Sequence, residues 1–455
     1  MKLKKSGQIL LALVVSLGLG LCLTSCTVDF TVAYFYVTGS QYNQIGAFKV
    51  SNNTGNLTTI AGSPYGSGGT NPVRELVSST GRYLYILNQG ALDANGNTYD
   101  GSNIAIFSVG GNGTLAPQQT YFSQGVHPIR FAFSSTGSFL YVLDQYEPIT
   151  DSSGNIITSS STQSSTYPCP DQSNPAIFHP VGDVTVFSVD STTGRLSLIT
   201  NAQQTVPGGG PNAAQLPYFP VGCLPIDFKI TASFLLTADN GPEPATIAGS
   251  TASTSNKQTI FEYAVNASNG QLTTTQNTEL VTGAGQIANL GTDAASKYLY
   301  VIDTGLNQIQ VYTIGTNGVL QSITSSPFPQ SMQTTTTGPI ALTSDSKSKF
   351  LYVANTGPAS AGQTTPNSQI TGYTIASTNG VLANIAGAPF NTGSSPQCIL
   401  EDPSNQYIYT ADGISNTVTG QVLDPNSGVL TPLRNHTSYA TVGTPTWCVA
   451  SGHTD

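Results

Sequence analysis

A chain of 455 residues with 38% hydrophobic side chains, 21 Tyr and 17 Phe among them, has enough apolar surface for a large core, which excludes intrinsic disorder. Only 8% of its residues are charged, and the formal charge of −9 excludes nucleic acid as a partner, because phosphate binding needs clustered Lys and Arg. Such a chain solubilises itself with hydroxyls and amides.

The first 25 residues read as a targeting segment. Lys2, Lys4 and Lys5 precede an apolar run over residues 9–23, which is short for a membrane span. Leu23-Thr24-Ser25-Cys26 follows and resembles a bacterial lipobox, in which the Cys is diacylated and becomes the mature N-terminus. The expectation is therefore a lipoprotein signal over residues 1–25, lipid on Cys26, a tether over 26–32 and one domain over 33–455. The protein would be exported and held in the bacterial cell envelope, at the outer membrane or the periplasmic face, touching membrane through its acyl chains alone.

Three markers then recur seven times each. The first is an aromatic strand: Tyr34-Phe35-Tyr36-Val37, Tyr83-Leu84-Tyr85-Ile86, Phe139-Leu140-Tyr141-Val142, Phe234-Leu235-Leu236-Thr237, Tyr298-Leu299-Tyr300-Val301, Phe350-Leu351-Tyr352-Val353 and Tyr407-Ile408-Tyr409-Thr410. A later strand carries Phe or Tyr near its end (Phe48, Phe107, Phe187, Tyr263, Tyr312, Tyr373), with Gly420-Gln421 as a degenerate seventh copy. A Gly-x-Leu turn opens the outer strand at Gly55, Gly113, Gly194, Gly270, Gly318, Gly380 and Gly428.

Before most aromatic strands lies one more run, often beginning at Pro, as at Pro72, Pro128, Pro225, Pro339 and Pro396. The first unit lacks it, and Pro445-Thr446-Trp447-Cys448-Val449-Ala450 at the C-terminus supplies it. Four strands per unit, seven units and a spare C-terminal strand give an all-β seven-bladed propeller closed by pairing of the chain ends. The long gap from Phe139 to Phe234 holds insertions, not an eighth blade. With strands named A (innermost) to D, the long connections run from B to C, at residues 89–102, 145–182, 240–257 and 356–368, joined by the D-to-A connection at 201–223. All elaboration thus falls on one face, where a site is expected around the channel mouth.

The repeated Tyr-x-Tyr-Val-x-Asp/Asn strand, the Gly-x-Leu turn and the seven units resemble the lactonase-type seven-bladed propellers. That family includes a bacterial 6-phosphogluconolactonase and a fungal muconate-lactonising enzyme, and it overlaps the YVTN surface repeats. The resemblance spans residues 33–451 and rests on blade-packing residues. Lactonase relatives tend to carry His-x-His-x-Val before Ser-Pro-Asp-Gly. Here His127 matches the first His, whereas Ile129 and Thr136 replace the second His and the Asp.

Charged residues cluster at the starts of three adjacent A strands: Arg74 and Glu75, His127 and Arg130, and Asp227. For lactone hydrolysis His127 would serve as base or acid, Arg74 and Arg130 as anchors for an oxyanion or carboxylate, and Glu75 or Asp227 as orienters. The same residues would also serve as structural ion pairs filling the channel. Asp144 recurs as Asp239, Asp303 and Asp412, with Asn88 and Asn355 elsewhere, and reads as a turn cap. Trp447 reads as core. Residues 93–97 with Asp100 have a calcium-loop flavour but the wrong Gly placement, and no Cys/His spacing suits zinc, so no metal or cofactor is expected.

With Cys22 and Cys26 assigned to the signal and the lipid, four cysteines remain for an oxidising compartment. Topology pairs Cys398 with Cys448, on the neighbouring A strands of blades 7 and 1, and Cys169 with Cys223, both on the elaborated face. Two functions stay open. One is a lactonase-like hydrolase acting on an unphosphorylated sugar or related lactone. The other is a non-catalytic monomeric scaffold binding a glycan or protein partner on the long-loop face.

Overall fold

The computed structural model describes residues 30–92, 99–164, 167–171, 174–200, 216–241, 258–275, 280–330, 337–357, 367–434 and 436–452. The proposed signal, Cys26, most of the tether and the calcium-like loop therefore lie outside the described residues.

Seven antiparallel sheets follow one another, each ordered A-B-C-D. The A strands are Pro445–Gly452 (blade 1), Pro72–Val77, Val126–Phe133, Pro225–Ile230, Ile287–Thr292, Pro339–Ser344 and Pro396–Glu401 (blade 7). The aromatic runs form the B strands, from Thr31–Gly39 in blade 1 to Tyr407–Asp412 in blade 7. Blade 1 draws its A strand from the far end of the chain, with Val37 opposite Cys448. The seven-bladed ring is thereby closed as the repeats imply, and the all-β expectation holds throughout the described residues.

The outermost strand departs from the four-strand unit. In six blades it is broken into two short pieces, as with Leu57–Thr59 and Tyr65–Gly66, both of which pair with Gln44–Ser51. Only blade 2 keeps one outer strand, Leu115–Tyr121. Pieces of two or three residues carry too little periodicity to be read from sequence.

One inter-blade contact explains why the markers travel together. The second aromatic of a B strand donates its hydroxyl to the carbonyl of the next blade's turn glycine: Tyr36 to Gly113 at 2.9 Å, Tyr85 to Gly194 at 2.7 Å, Tyr141 to Gly270 at 2.9 Å and Tyr352 to Gly428 at 2.7 Å. The first aromatic lies against the same glycine. A Cβ on Gly270, whose φ is +76°, would meet the Phe139 ring at 2.6 Å, so only glycine fits.

Both disulfides form as the topology implies. Cys398–Cys448 ties blade 7 to blade 1, and Cys169–Cys223 ties the blade 3 insertion to the blade 3–4 connection. The Ser/Thr-rich stretch 150–164 is ordered onto that insertion: Thr150 bridges Ile156, and Ser160 bridges Phe178 beside the small ribbon of Cys169–Pro170 with Phe178–His179. His179 stacks on Tyr146 and pairs with Asp171 at 3.0 Å.

Candidate functional site

Each A strand begins with the same backbone device. The first and third residues of the run flank a β-bulge: Pro72/Arg74, Pro128/Arg130, Pro225/Asp227, Ile287/Asn289, Pro339/Ala341 and Pro396/Cys398, with Pro445/Trp447 completing the set. A bulge re-aims the side chain that follows it. The third residues therefore form a ring about the channel, in the order Trp447, Arg74, Arg130, Asp227, Asn289, Ala341 and Cys398.

The ring is knit by direct contacts on its charged side. Arg74 lies 3.9 Å over the Trp447 ring and donates to the Val73 carbonyl at 2.7 Å. Arg130 Nε pairs with Asp227 Oδ1 at 2.8 Å, and its other arm donates to the Ile129 carbonyl. Asp227 Oδ2 accepts from Asn289 Nδ2 at 2.9 Å and from the Leu290 backbone N–H at 2.7 Å. The carboxylate is thus fully engaged, which offsets its burial at 3% exposure.

Two cations are left with less compensation. Arg74 and Lys229 are surrounded by protein yet keep some exposure, as side chains lining a narrow channel do. Burial pulls the Arg74 guanidinium well below its usual range; Arg130 adds repulsion, and Asp227 opposes both. Lys229, two residues beyond Asp227 and on the same strand face, is lowered by burial with Asp227 again opposing. Arg74, Arg130 and Lys229 thus gather around one carboxylate.

His127 occupies a repeated turn. It has φ +64°, and Asn71, Leu224, Gly338, Ser395 and Thr444 hold the same left-handed position before their A strands. Its Nδ1 bonds Gln145 Oε1 at 2.5 Å, a pairing that Asn71 and Gln89 repeat in blade 2. Burial lowers its pKa to about 4, so the imidazole is neutral at pH 7 with the proton on Nδ1, and Nε2 is the basic nitrogen.

The five residues singled out by sequence therefore separate. Arg130 and Asp227 meet, Arg74 joins them electrostatically, and His127 sits at the rim on its own hydrogen bond. Glu75 points to the other face of its strand, since neighbouring residues alternate. It is fully buried beside Thr38 and Tyr36, and its carboxyl is pushed well above the usual range by burial, with the Thr38 backbone N–H offsetting only part. Trp447, read as core, does pack partly buried against the core between blades 7 and 1, and it also lies under Arg74. Sequence reading also passed over Lys229 and Asn289. Aligning the A strands on their first residue places Asn289 in register with Arg74, Arg130 and Asp227.

The cap reading of the repeated strand-end carboxylate is right for Asp303, which accepts from the N–H groups of Gly285, Gln286 and Leu306. Asp412 is held by threonine hydroxyls instead. No group of His, Cys, Asp and Glu suited to a metal occurs among the described residues.

Fold and site together define a closed seven-bladed propeller with a cationic, Trp-flanked channel mouth. The family model for the lactonase seven-bladed β-propellers matches residues 28–150 and 257–450, and the chain belongs to that family. It is similar in structure to a periplasmic gluconolactonase of Pseudomonas aeruginosa, with a TM-score of 0.64 and 14% identity over 93% of this chain and 100% of the other. A protein of Bacteroides uniformis assigned to the 6-phosphogluconolactonases gives 0.62 and 14% identity over 92% and 100%. At such identity the likeness concerns the fold. No curated protein matches the sequence.

Proposed function

We propose that the protein is an exported, lipid-tethered lactonase-like propeller that opens an unphosphorylated sugar lactone or a related lactone at the channel mouth. The observation that carries this is the excess of cations at the mouth: Arg74, Arg130 and Lys229 face the single carboxylate of Asp227, which Arg130, Asn289 and Leu290 already satisfy. A lactone carbonyl gains negative charge as water adds, and fixed cations in a narrow channel stabilise it. Arg74 and Lys229 are the residues with charge to offer, and Trp447 supplies an apolar wall. His127, neutral and held through Nδ1, suits the acceptance of a proton from water at Nε2.

Export is supported by two disulfides, which persist in oxidising compartments. The anchor rests on the lipobox-like Leu23-Thr24-Ser25-Cys26.

A second reading, a non-catalytic scaffold for a glycan or protein, is favoured by the internal pairing of His127 with Gln145 and of Arg130 with Asp227. A panel of unphosphorylated sugar lactones, assayed beside His127→Ala and Arg74→Ala, separates the two. Turnover lost in both variants supports the site. Turnover that survives both keeps the enzyme and removes this site, and no turnover on any lactone favours the scaffold.

A further inference from the structure

Six blades carry an aromatic near the end of strand C, and each of these rings is buried in the interface with the preceding blade. Phe48 packs on blade 7, Phe107 on blade 1, Phe187 on blade 2, Tyr263 on blade 3, Tyr312 on blade 4 and Tyr373 on blade 5. In two interfaces the ring meets an aromatic from the preceding blade's outer strand edge-on: Phe219 with Tyr263 at 5.4 Å, and Tyr121 with Phe187 at 6.5 Å. Blade 7 has Gln421 at this position. Phe390 of blade 6 therefore faces an amide where its equivalents face a ring, and the blade 6–7 cluster holds no aromatic from strand C of blade 7.

The missing ring leaves space. A groove of about 500 Å³ runs between the two blades, with Phe390 and Leu430 as apolar floor and with Thr392, Thr417, Thr419 and Gln421 along its walls. This falls within the roughly 300–1,000 Å³ of small-molecule sites. No charged side chain lines it, so a charged ligand would be buried there without compensation.

Hydrogen-bond polarity narrows the ligand further. The hydroxyls of Thr392, Thr417 and Thr419 donate to the Asp412 carboxylate behind them, at 3.2, 3.2 and 2.7 Å. Gln421 donates one N–H to the Asn391 carbonyl at 2.5 Å. The walls are hydroxyls and amide groups, and a fitting ligand is neutral, carries several hydroxyls and has a ring with an apolar face.

We infer that the groove between blades 6 and 7 is a binding site for a neutral saccharide, whose ring takes the place of the aromatic that blade 7 lacks. The site lies away from the channel, its lining contains none of the channel residues, and it is independent of the lactonase reading.

Ligand-observed NMR and calorimetry on the purified full chain would use glucose, galactose, mannose, N-acetylglucosamine and cellobiose, with indole and cyclohexanol as neutral rings lacking the hydroxyl array. At least one saccharide should bind, and both non-saccharides should bind more weakly or not at all. Gln421→Tyr, which restores the ring present in other blades, should reduce saccharide affinity about tenfold or more by filling the groove. Phe390→Leu, which keeps apolar volume without the ring, should reduce it by roughly tenfold. Arg74→Ala should leave it unchanged, so a failed channel assay and a failed groove are read separately. The inference is overturned if no saccharide binds, if indole binds in preference, if both groove variants, shown folded by circular dichroism, retain affinity, or if Arg74→Ala abolishes binding.

Discussion

The Tyr409 hydroxyl donates to the Gly55 carbonyl at 2.5 Å, so the last blade makes with the first the bond that other blades make with their successors. The ring closes through the same contact that builds it, beside the strand Pro445–Gly452 and the Cys398–Cys448 bond.

Tyr409→Phe removes that donor and leaves a buried carbonyl unpaired. A loss of about 1–3 kcal/mol is expected in denaturant unfolding, with the slope against denaturant unchanged. Tyr141→Phe, which releases Gly270 mid-ring, should cost a similar amount. A much larger loss at Tyr409 would mean that closure depends on this one bond.

Cys398→Ser with Cys448→Ser opens a loop that spans 50 residues in sequence. The chain-entropy picture gives a loss of roughly 3–4 kcal/mol. Reductant should lower the melting temperature of the parent protein and move the double variant less, since only its Cys169–Cys223 bond remains to be reduced.

Stability should fall as pH rises from acid to neutral. Asp144 and Asp183 lie opposite one another on strands B and C of blade 3. Burial raises Asp144 to about 7 and Glu147 to about 7, while burial together with the Asp144 and Glu147 charges raises Asp183 well above its usual range. Between about 4, where these groups titrate in the unfolded chain, and about 7, the folded state binds more protons. Their contribution is full below that window and lost as pH climbs through it. His127, lowered to about 4, acts in the opposite sense as pH falls below 6.5, but Glu75 and Asp412, both raised by burial, act with these three. Melting temperature should therefore be higher at about pH 5 than at about pH 8, and Asp183→Asn should flatten the difference. A melting temperature that rises with pH would contradict this.

Arg130 and Arg74 should part company on mutation. Arg130→Ala leaves Asp227 buried without its cation, a loss of about 3–5 kcal/mol in comparable buried pairs, reduced here by the bonds from Asn289 and Leu290. Arg74→Ala removes a guanidinium already depressed by Arg130 and should cost less stability, because it relieves repulsion while losing the Trp447 contact. If a lactone is turned over, Arg74→Ala should lower kcat/KM while the fold persists.

The blade count was legible because Tyr141 and Gly270 are two ends of one contact, so packing writes the glycine into all seven repeats and the tyrosine into six. Both disulfides followed once the blades were numbered. The site was legible in residue type and not in direction. Adjacent Arg74 and Glu75 look like one charged pair in sequence, yet strand alternation sends one to the channel and the other into the interface. Trp447 reads as core, and only its register equates it with Arg74 and Arg130 as well. The bulge that aims all seven leaves no local signature, being a property of pairing with strand B. The degenerate Gly420-Gln421 was visible as an irregular repeat, whereas the groove it opens depends on Phe390 from another blade.

Strand Thr31–Gly39 is synthesised long before its partner Pro445–Gly452, with the other six blades made in between. Until then blade 1 carries a bare hydrogen-bonding edge, the kind that recruits stray strands. Maturation of this propeller is thus gated by synthesis of Pro445–Gly452. A chain stalled or clipped before Pro445 would leave six well-built blades beside an unfinished one, a species primed to exchange strands with its neighbours.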